Sequence, residues 1–473
     1  MRRDLSALLE RDRLIHLTLA MAIVIGFFLA YIKDHYPSPL SYFLFDIVLA
    51  LALVFWLTTR ARRGRALLPD TPLTKVLLVF YALCFVYALA SDTPFLIGLS
   101  AFRGWCFFTV AFLLGYDVIV SGRQVRAYLL LIVSLAVLTG FYGLYQYIVG
   151  AERILPEDEL VAERHPFATY VTPTGEVEFR IFSTFVSAAA FGTMMAYGSC
   201  LALMLAMSPQ TRRLLRAALL LGIIPMMVAL VLTGTRAAFV MVFIGLGVLW
   251  AYRRNLRIYI LAAVLIGLGI RMGIVLTEGR AAARFATLFD PGLFLGRVSQ
   301  PLRAGWEAIR ESPWGHGLGQ TGHGVPLFLG KWYPTFRPIF ADGDFGRIMV
   351  EMGIIGLILL TVILGIALKG GARAVRDLNQ TDERDIALGI FSGTIMIGVG
   401  TFVGSPFLSI PHGMLWWFLL GGLYKLSALH RRRGHAYWYA PARSPDAQAL
   451  IVRARRAALS VRGERRRVVS EPQ

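Results

Sequence analysis

Apolar runs of roughly 17–25 residues, the length a helix needs to cross a hydrocarbon layer of about 30 Å, recur along the whole chain, a few of them slightly shorter. Twelve are present, at 14–32, 41–57, 73–90, 105–120, 128–149, 182–207, 214–232, 237–252, 258–276, 347–368, 386–408 and 414–427. The connections between them are short, with two exceptions: 150–180 and 277–346 have room for structure of their own. Within the second, the pattern predicts an amphipathic helix over 301–311, with Leu302, Trp306 and Ile309 on one face and Arg303, Glu307 and Arg310 elsewhere. Gly315, Gly317 and Gly319 follow as a turn able to bring backbone close to a ligand. The fold class implied is an all-α polytopic membrane protein with about twelve transmembrane helices and a large structured loop.

Composition agrees: 56% of the 473 residues are hydrophobic and only 16% are charged. The net charge of +19 raises the question of nucleic acid, and the placement of the basic residues answers it. They fall on alternate loops: Arg2 and Arg3, then Arg60 to Arg65, Arg123 and Arg126, Arg212 and Arg213, Arg253 and Arg254, Lys369 to Arg376, and the tail from Arg431 to Arg467. By the positive-inside rule these segments and both termini are cytoplasmic, in an inner membrane, so the charge reports topology and nucleic acid is not expected as a partner. The 150–180 loop, with Glu152, Glu157, Asp158, Glu159, Glu163, Glu176 and Glu178, then lies outside. No small-residue cleavage site follows the first run, which reads as a retained span. Cys84, Cys106 and Cys200 lie apart within spans and offer neither a disulfide framework nor zinc spacing.

The long outer loop breaks the charge rule. It holds Arg280, Arg284, Arg297, Arg303, Arg310, Lys331 and Arg337, with Arg347 at its end, while Arg180 and Arg236 stand at the outer mouths of spans. Single arginines there can snorkel to headgroups; as a cluster they fit an anionic ligand, because guanidinium groups pair bidentately with phosphate oxygens. Asp46, Arg271, Arg347 and Glu351 add charge to the outer halves of their spans, a depth that argues against a midplane transport site. Asp342 and Asp344 flank a glycine just before a span and read as a solvated turn, a general base or a metal pair; His316 and His323 are rival bases.

Four pieces of this set, in order, resemble the O-antigen ligase and polymerase superfamily of membrane glycosyltransferases. Arg180 to Phe185 resembles its arginine-serine segment, and Thr233-Gly234-Thr235-Arg236 its S/T-x-S/T-R motif. Trp306 with Pro313 to Gly319 is similar to its helix and glycine turn, and Asp342 to Gly356 to the segment that ends E-x-G-x-x-G. Asp342 stands where ligases carry a histidine, and polymerase-like relatives often show an acid there. The resemblance implies a GT-C-type fold over 1–427 with a basic cytoplasmic tail at 428–473. It implies metal-independent, inverting transfer of a polyprenyl-diphosphate-linked glycan to an acceptor sugar at the periplasmic face, without a cofactor. The product class would be an O-antigen or exopolysaccharide; membrane lipids, a chain-length regulator and a flippase are the implied partners. In that scheme Asp342 is the catalytic base, Arg180 and Arg236 hold the donor diphosphate with Arg303 as a third contact, and Asp344 or His323 orients the base. Ligation to a lipid A core or to protein is the nearest alternative, and flipping of a lipid-linked glycan is one from another class.

The charge pattern yields a direct test. Cysteines introduced at Glu157 and Trp314 are expected to react with a membrane-impermeant reagent in intact cells, and one at Arg213 to be spared. The reverse pattern would overturn the orientation.

Overall fold

A computed structural model describes residues 2–64, 66, 68–90, 93–150, 153–154, 169–171, 177–252, 256–286, 291–326, 329, 332–379 and 381–439. The acidic stretch 155–168 and the tail beyond 439 lie outside the described residues. The chain forms two compact units, Met1–Ser427 and Ala428–Gln473, and the second is described only to Tyr439, where it is helical.

The architecture is helical, in the order α1 (Arg2–His35), α2 (Pro39–Arg62), α3 (Pro72–Ala90), α4 (Phe95–Phe102), a π-helical turn (Arg103–Phe107), α5 (Val110–Val118) and α6 (Gly122–Val149). Two three-residue strands, β1 (Thr169–Val171) and β2 (Val177–Phe179), pair antiparallel. Then come α7 (Ala188–Met207), α8 (Arg213–Leu232), α9 (Arg236–Tyr252), α10 (Leu256–Leu276), α11 (Arg280–Ala286), α12 (Pro291–Glu311), α13 (Gly343–Asp377), α14 (Arg384–Gly400) and α15 (His412–Tyr439). Among the described residues nine helical segments are long and apolar enough to cross a membrane, counting Phe95–Val118 as one, so the chain is a multi-pass membrane protein. The other three apolar runs lie on α9, α14 and α15.

The helix at the centre of the first unit is α7. It packs against α6, α8, α9 and α14 and is almost wholly buried. Small residues make that possible: a Cβ on Gly192 would meet Thr233, Thr235 and Ala238, and Gly393 of α14 lies flush against the Tyr197 ring. In hydrocarbon, where lipid tails are as apolar as leucine, such close backbone approach supplies the packing energy that solvent exclusion supplies in water.

One helix contains a break. Gly353 within α13 has φ 58° and ψ −143°, and the helical hydrogen bonds on either side are lost. The residues 313–317 fill the gap: His316 N donates to the Val350 carbonyl (2.8 Å), Gly317 N to that of Glu351 (3.1 Å), and Ile354 N to that of Pro313 (3.0 Å). The glycine turn therefore serves contact between two stretches of backbone, which corrects its reading as a ligand loop. A Cβ on Gly315 would stand 2.5 Å from the Glu351 carbonyl oxygen, and one on Gly319 2.9 Å from that of Ile97.

The amphipathic helix also departs from expectation. It begins ten residues earlier, at Pro291, and buries Pro301, Gly305, Ala308 and Ile309, while Trp306 is 46% exposed. The small Gly305 allows α12 to lie against Met349 of α13, and the bulk of Trp306 is excluded from that face.

Gly353→Ala would place a side chain in the left-handed region, at a cost of roughly 1–2 kcal/mol, and drive it into the Pro313 carbonyl. The apparent melting temperature of the purified protein is expected to fall by several degrees, whereas Gly267→Ala, which meets nothing within 4 Å, should leave it unchanged.

Candidate functional site

Two groups of the sequence-derived residues are gathered by the fold. The first is built on the turn between α8 and α9. Gly234 takes φ 58°, which lets α8 end and α9 start at once, with Arg236 as the first residue of α9. Arg180 reaches this turn from the stretch after β2: its Nε donates to the Thr233 carbonyl (2.8 Å) and its Nη2 to Thr235 Oγ1 (3.1 Å). Two half-buried arginines from distant stretches are thus brought to the N-terminal end of one helix, where the helix dipole favours an anion.

What holds Arg180 in place was missed from the sequence. Ser183 has φ 54°, unusual for a residue with a side chain, and the Oε1 of Gln146 accepts from the amides of Phe182 (3.1 Å) and Ser183 (2.8 Å). The Ser183 hydroxyl donates to the Thr139 carbonyl (2.7 Å). Gln146 is fully buried in α6, and a lone amide in an apolar span was the available signal.

The second group surrounds the start of α13. Asp342 is half-buried and caps that helix, its carboxylate accepting from Gly343 N (2.9 Å). Asp344 is fully buried; its Oδ2 accepts from Phe407 N (3.0 Å), while its own amide donates to the Gly404 carbonyl (3.0 Å). That geometry ties the α14–α15 connection to α13 and gives Asp344 a structural part of its own. Gly343 has φ 69° and lies against the carbonyls of Thr401 and Phe402, which explains a glycine between the two acids.

Arg347 is the hub of this second group. Its Nε donates to the Ala341 carbonyl (3.1 Å), and its charge faces Asp344, Asp342 and Glu351. The same guanidinium acts on His323: burial and the neighbouring positive charge together hold this imidazole well below its ordinary value, so it is neutral at pH 7. His316 instead faces Glu311, with Nε2 at 3.9 Å.

The remaining candidates fall elsewhere. Arg303 is exposed on α12, on the side turned away from α13. Arg271 is exposed on α10. Glu351 is 1% exposed, with Oε2 accepting from Trp105 Nε1 (2.8 Å) and Oε1 from the Thr321 hydroxyl, so its carboxyl group holds the loop down. Asp46 accepts from Arg103 Nε (2.9 Å), a pairing between α2 and the π-helical turn that no spacing announced. Among the described residues no three His, Cys, Asp or Glu side chains converge as metal ligands. No protein-family model matches the chain, and no curated protein matches it at a significant level.

The lowered value of His323 has a consequence for stability. A histidine whose folded value lies below its unfolded one binds fewer protons when folded, so its contribution is present above about pH 6.5 and is lost as pH falls. The melting temperature is expected to drop between pH 7.5 and pH 5, and His323→Gln to flatten that slope. An unchanged slope in the variant would show that His323 does not carry the dependence.

Proposed function

We propose that this chain is a glycosyltransferase of the inner membrane, with a GT-C-type fold and its active site at the periplasmic face. It joins a polyprenyl-diphosphate-linked oligosaccharide to the sugar of an acceptor, as a repeat-unit polymerase for an O-antigen or exopolysaccharide. The observation that carries this reading is the hydrogen bonding of Arg180 to Thr233 and Thr235, immediately before Arg236.

In this mechanism the Arg180 and Arg236 guanidiniums, at the N-terminal end of α9, hold the donor diphosphate and neutralise the charge that grows as it leaves. The acceptor hydroxyl attacks the anomeric carbon from the opposite face, the bond from that carbon to the diphosphate oxygen breaks, and the configuration inverts. The hydroxyl proton passes to Asp342, whose second oxygen stays oriented by the Gly343 amide. Neutral His323 is the rival acceptor, since burial and the neighbouring Arg347 keep it unprotonated. Departure of an already anionic diphosphate needs no protonation at neutral pH, and the two arginines supply the electrostatic part of the acceleration in place of a metal.

Reconstitution with purified lipid-linked repeat unit as both donor and acceptor tests this. Mass analysis is expected to reveal lipid-linked glycans lengthened by whole repeats, in the presence of chelator as in its absence. Transfer only when a lipid A core is supplied would make the protein a ligase, and movement of donor between leaflets with no bond changed would make it a flippase. Arg236→Lys and Arg180→Lys lose a charge-assisted fork worth roughly 1.5–3 kcal/mol, so turnover should fall about tenfold to a hundredfold. Asp342→Asn should cost about two to four orders of magnitude with donor binding retained. Normal turnover in that variant would shift the base to His323.

A further inference from the structure

Between α2, α3 and α4 the fold leaves a cavity of about 510 Å³, within the range of about 300–1,000 Å³ common to ligand sites. Its walls come from segments long and apolar enough to span a membrane: Phe43 on α2, Tyr81 on α3, and Leu96 and Leu99 on α4. Leu329 and Trp332, from the same connection that carries His323, also line it. The π-helical turn forms another wall and turns Arg103, Cys106 and Phe107 toward the space; such turns inside helices are frequent at functional sites.

The polar atoms around this cavity are already engaged. The Tyr81 hydroxyl is hydrogen-bonded with that of Thr109, and the Ser100 hydroxyl donates to the Gly324 carbonyl (3.2 Å). Arg103, the one charged lining residue, donates through Nε to Asp46 (2.9 Å) and through Nη1 to the Gly324 carbonyl (3.5 Å), while its Nη2 makes no hydrogen bond among the described residues. The interior therefore suits hydrocarbon, and the guanidinium that contacts the Gly324 carbonyl keeps N–H groups to donate. Gly324 directly follows His323, so this side of the cavity adjoins the group around Asp342 and Arg347 and shares no residue with the arginine turn between α8 and α9.

We infer that the cavity between α2, α3 and α4 holds the polyprenyl chain of a second lipid-linked glycan, the acceptor, with its phosphate end at Arg103. This rests on the proposed transferase reading in one respect, the naming of the bound lipid as acceptor. Chain binding at the cavity is measurable without turnover. With each lipid held by its own elements, the acceptor sugar is presented at Asp342 and the donor diphosphate at Arg180 and Arg236.

The experiment uses the full chain in nanodiscs of phosphatidylglycerol and phosphatidylethanolamine, with a diazirine-bearing polyprenyl diphosphate as probe. After irradiation, peptide mass analysis should find label within 96–110, competed by unlabelled polyprenyl diphosphate and not by added phosphatidylglycerol. Leu99→Trp and Val110→Phe, at two residues that line the cavity, should reduce that label at least tenfold at unchanged melting temperature. In the reconstituted assay both should raise the KM for acceptor lipid, with donor hydrolysis or transfer to a soluble sugar acceptor unaffected. Absence of label from 96–110, or competition by phosphatidylglycerol as effective as by polyprenyl diphosphate, would overturn the site. Label at the cavity with unchanged acceptor KM in both variants would overturn the acceptor assignment. If no bond is formed even by the wild type, the transferase reading fails on its own and the competition result still decides whether the cavity binds polyprenyl chains.

Discussion

A helix in hydrocarbon cannot leave a carbonyl unpaired, and α13 does break its own hydrogen bonds, at Gly353. The structure around the second group of candidate residues depends on how those bonds are replaced. The carbonyls freed at Val350 and Glu351 are taken up by the amides of His316 and Gly317, and the Ile354 amide by the carbonyl of Pro313. The Glu351 side chain extends the same junction to Trp105 and Thr321. A long connection that would otherwise lie loose is thereby fastened at membrane depth to α13 and to the π-helical turn. Its neighbours, His323 and Asp342, inherit a defined position from a contact in which neither takes part.

A second tie works from the other side. Asp344 accepts the Phe407 amide and donates its own to Gly404, so the start of α13 and the α14–α15 connection are one piece. Met241, little more than a turn along α9 from Arg236, lies against Gly400 at the end of α14. The connection after Gly400 thus links the helix that begins with Arg236 to the helix capped by Asp342. In this tie the buried Asp344 Oδ2 is satisfied by a backbone amide, which offsets part of the cost of taking a carboxyl group away from water.

The helical skeleton was legible because the apolar runs are long, and length is a local property. The twelve runs fall on helices in order, although only nine segments among the described residues meet both length and composition for crossing a membrane. The pairing of Arg180 with the Thr233 turn was legible only as two mouths of spans on the same side. Gln146 and Trp105, which fix the loops, were not legible, since each acts on residues 36 or more positions away and neither sits in a pattern. The glycines were misread for a related reason. A glycine permits close approach without stating what approaches, and here it is the backbone of α13 rather than a ligand. Asp342 and Asp344, two acids around a glycine, look alike in sequence, while one caps a helix and the other is buried against an amide.

The burial of α7 bears on how the protein is made. Ribosomes deliver helices in order, yet one flank of α7 is covered by α14, which emerges nearly two hundred residues later. Until then Tyr197 has no Gly393 to lie against, and Cys200 and Met204 face whatever the nascent chain offers. The small residues that allow tight final packing give α7 little hold on lipid by itself. Biogenesis of this chain therefore includes a long interval in which its central helix is the least settled part, and during which an insertase or chaperone would find it most in need of shelter.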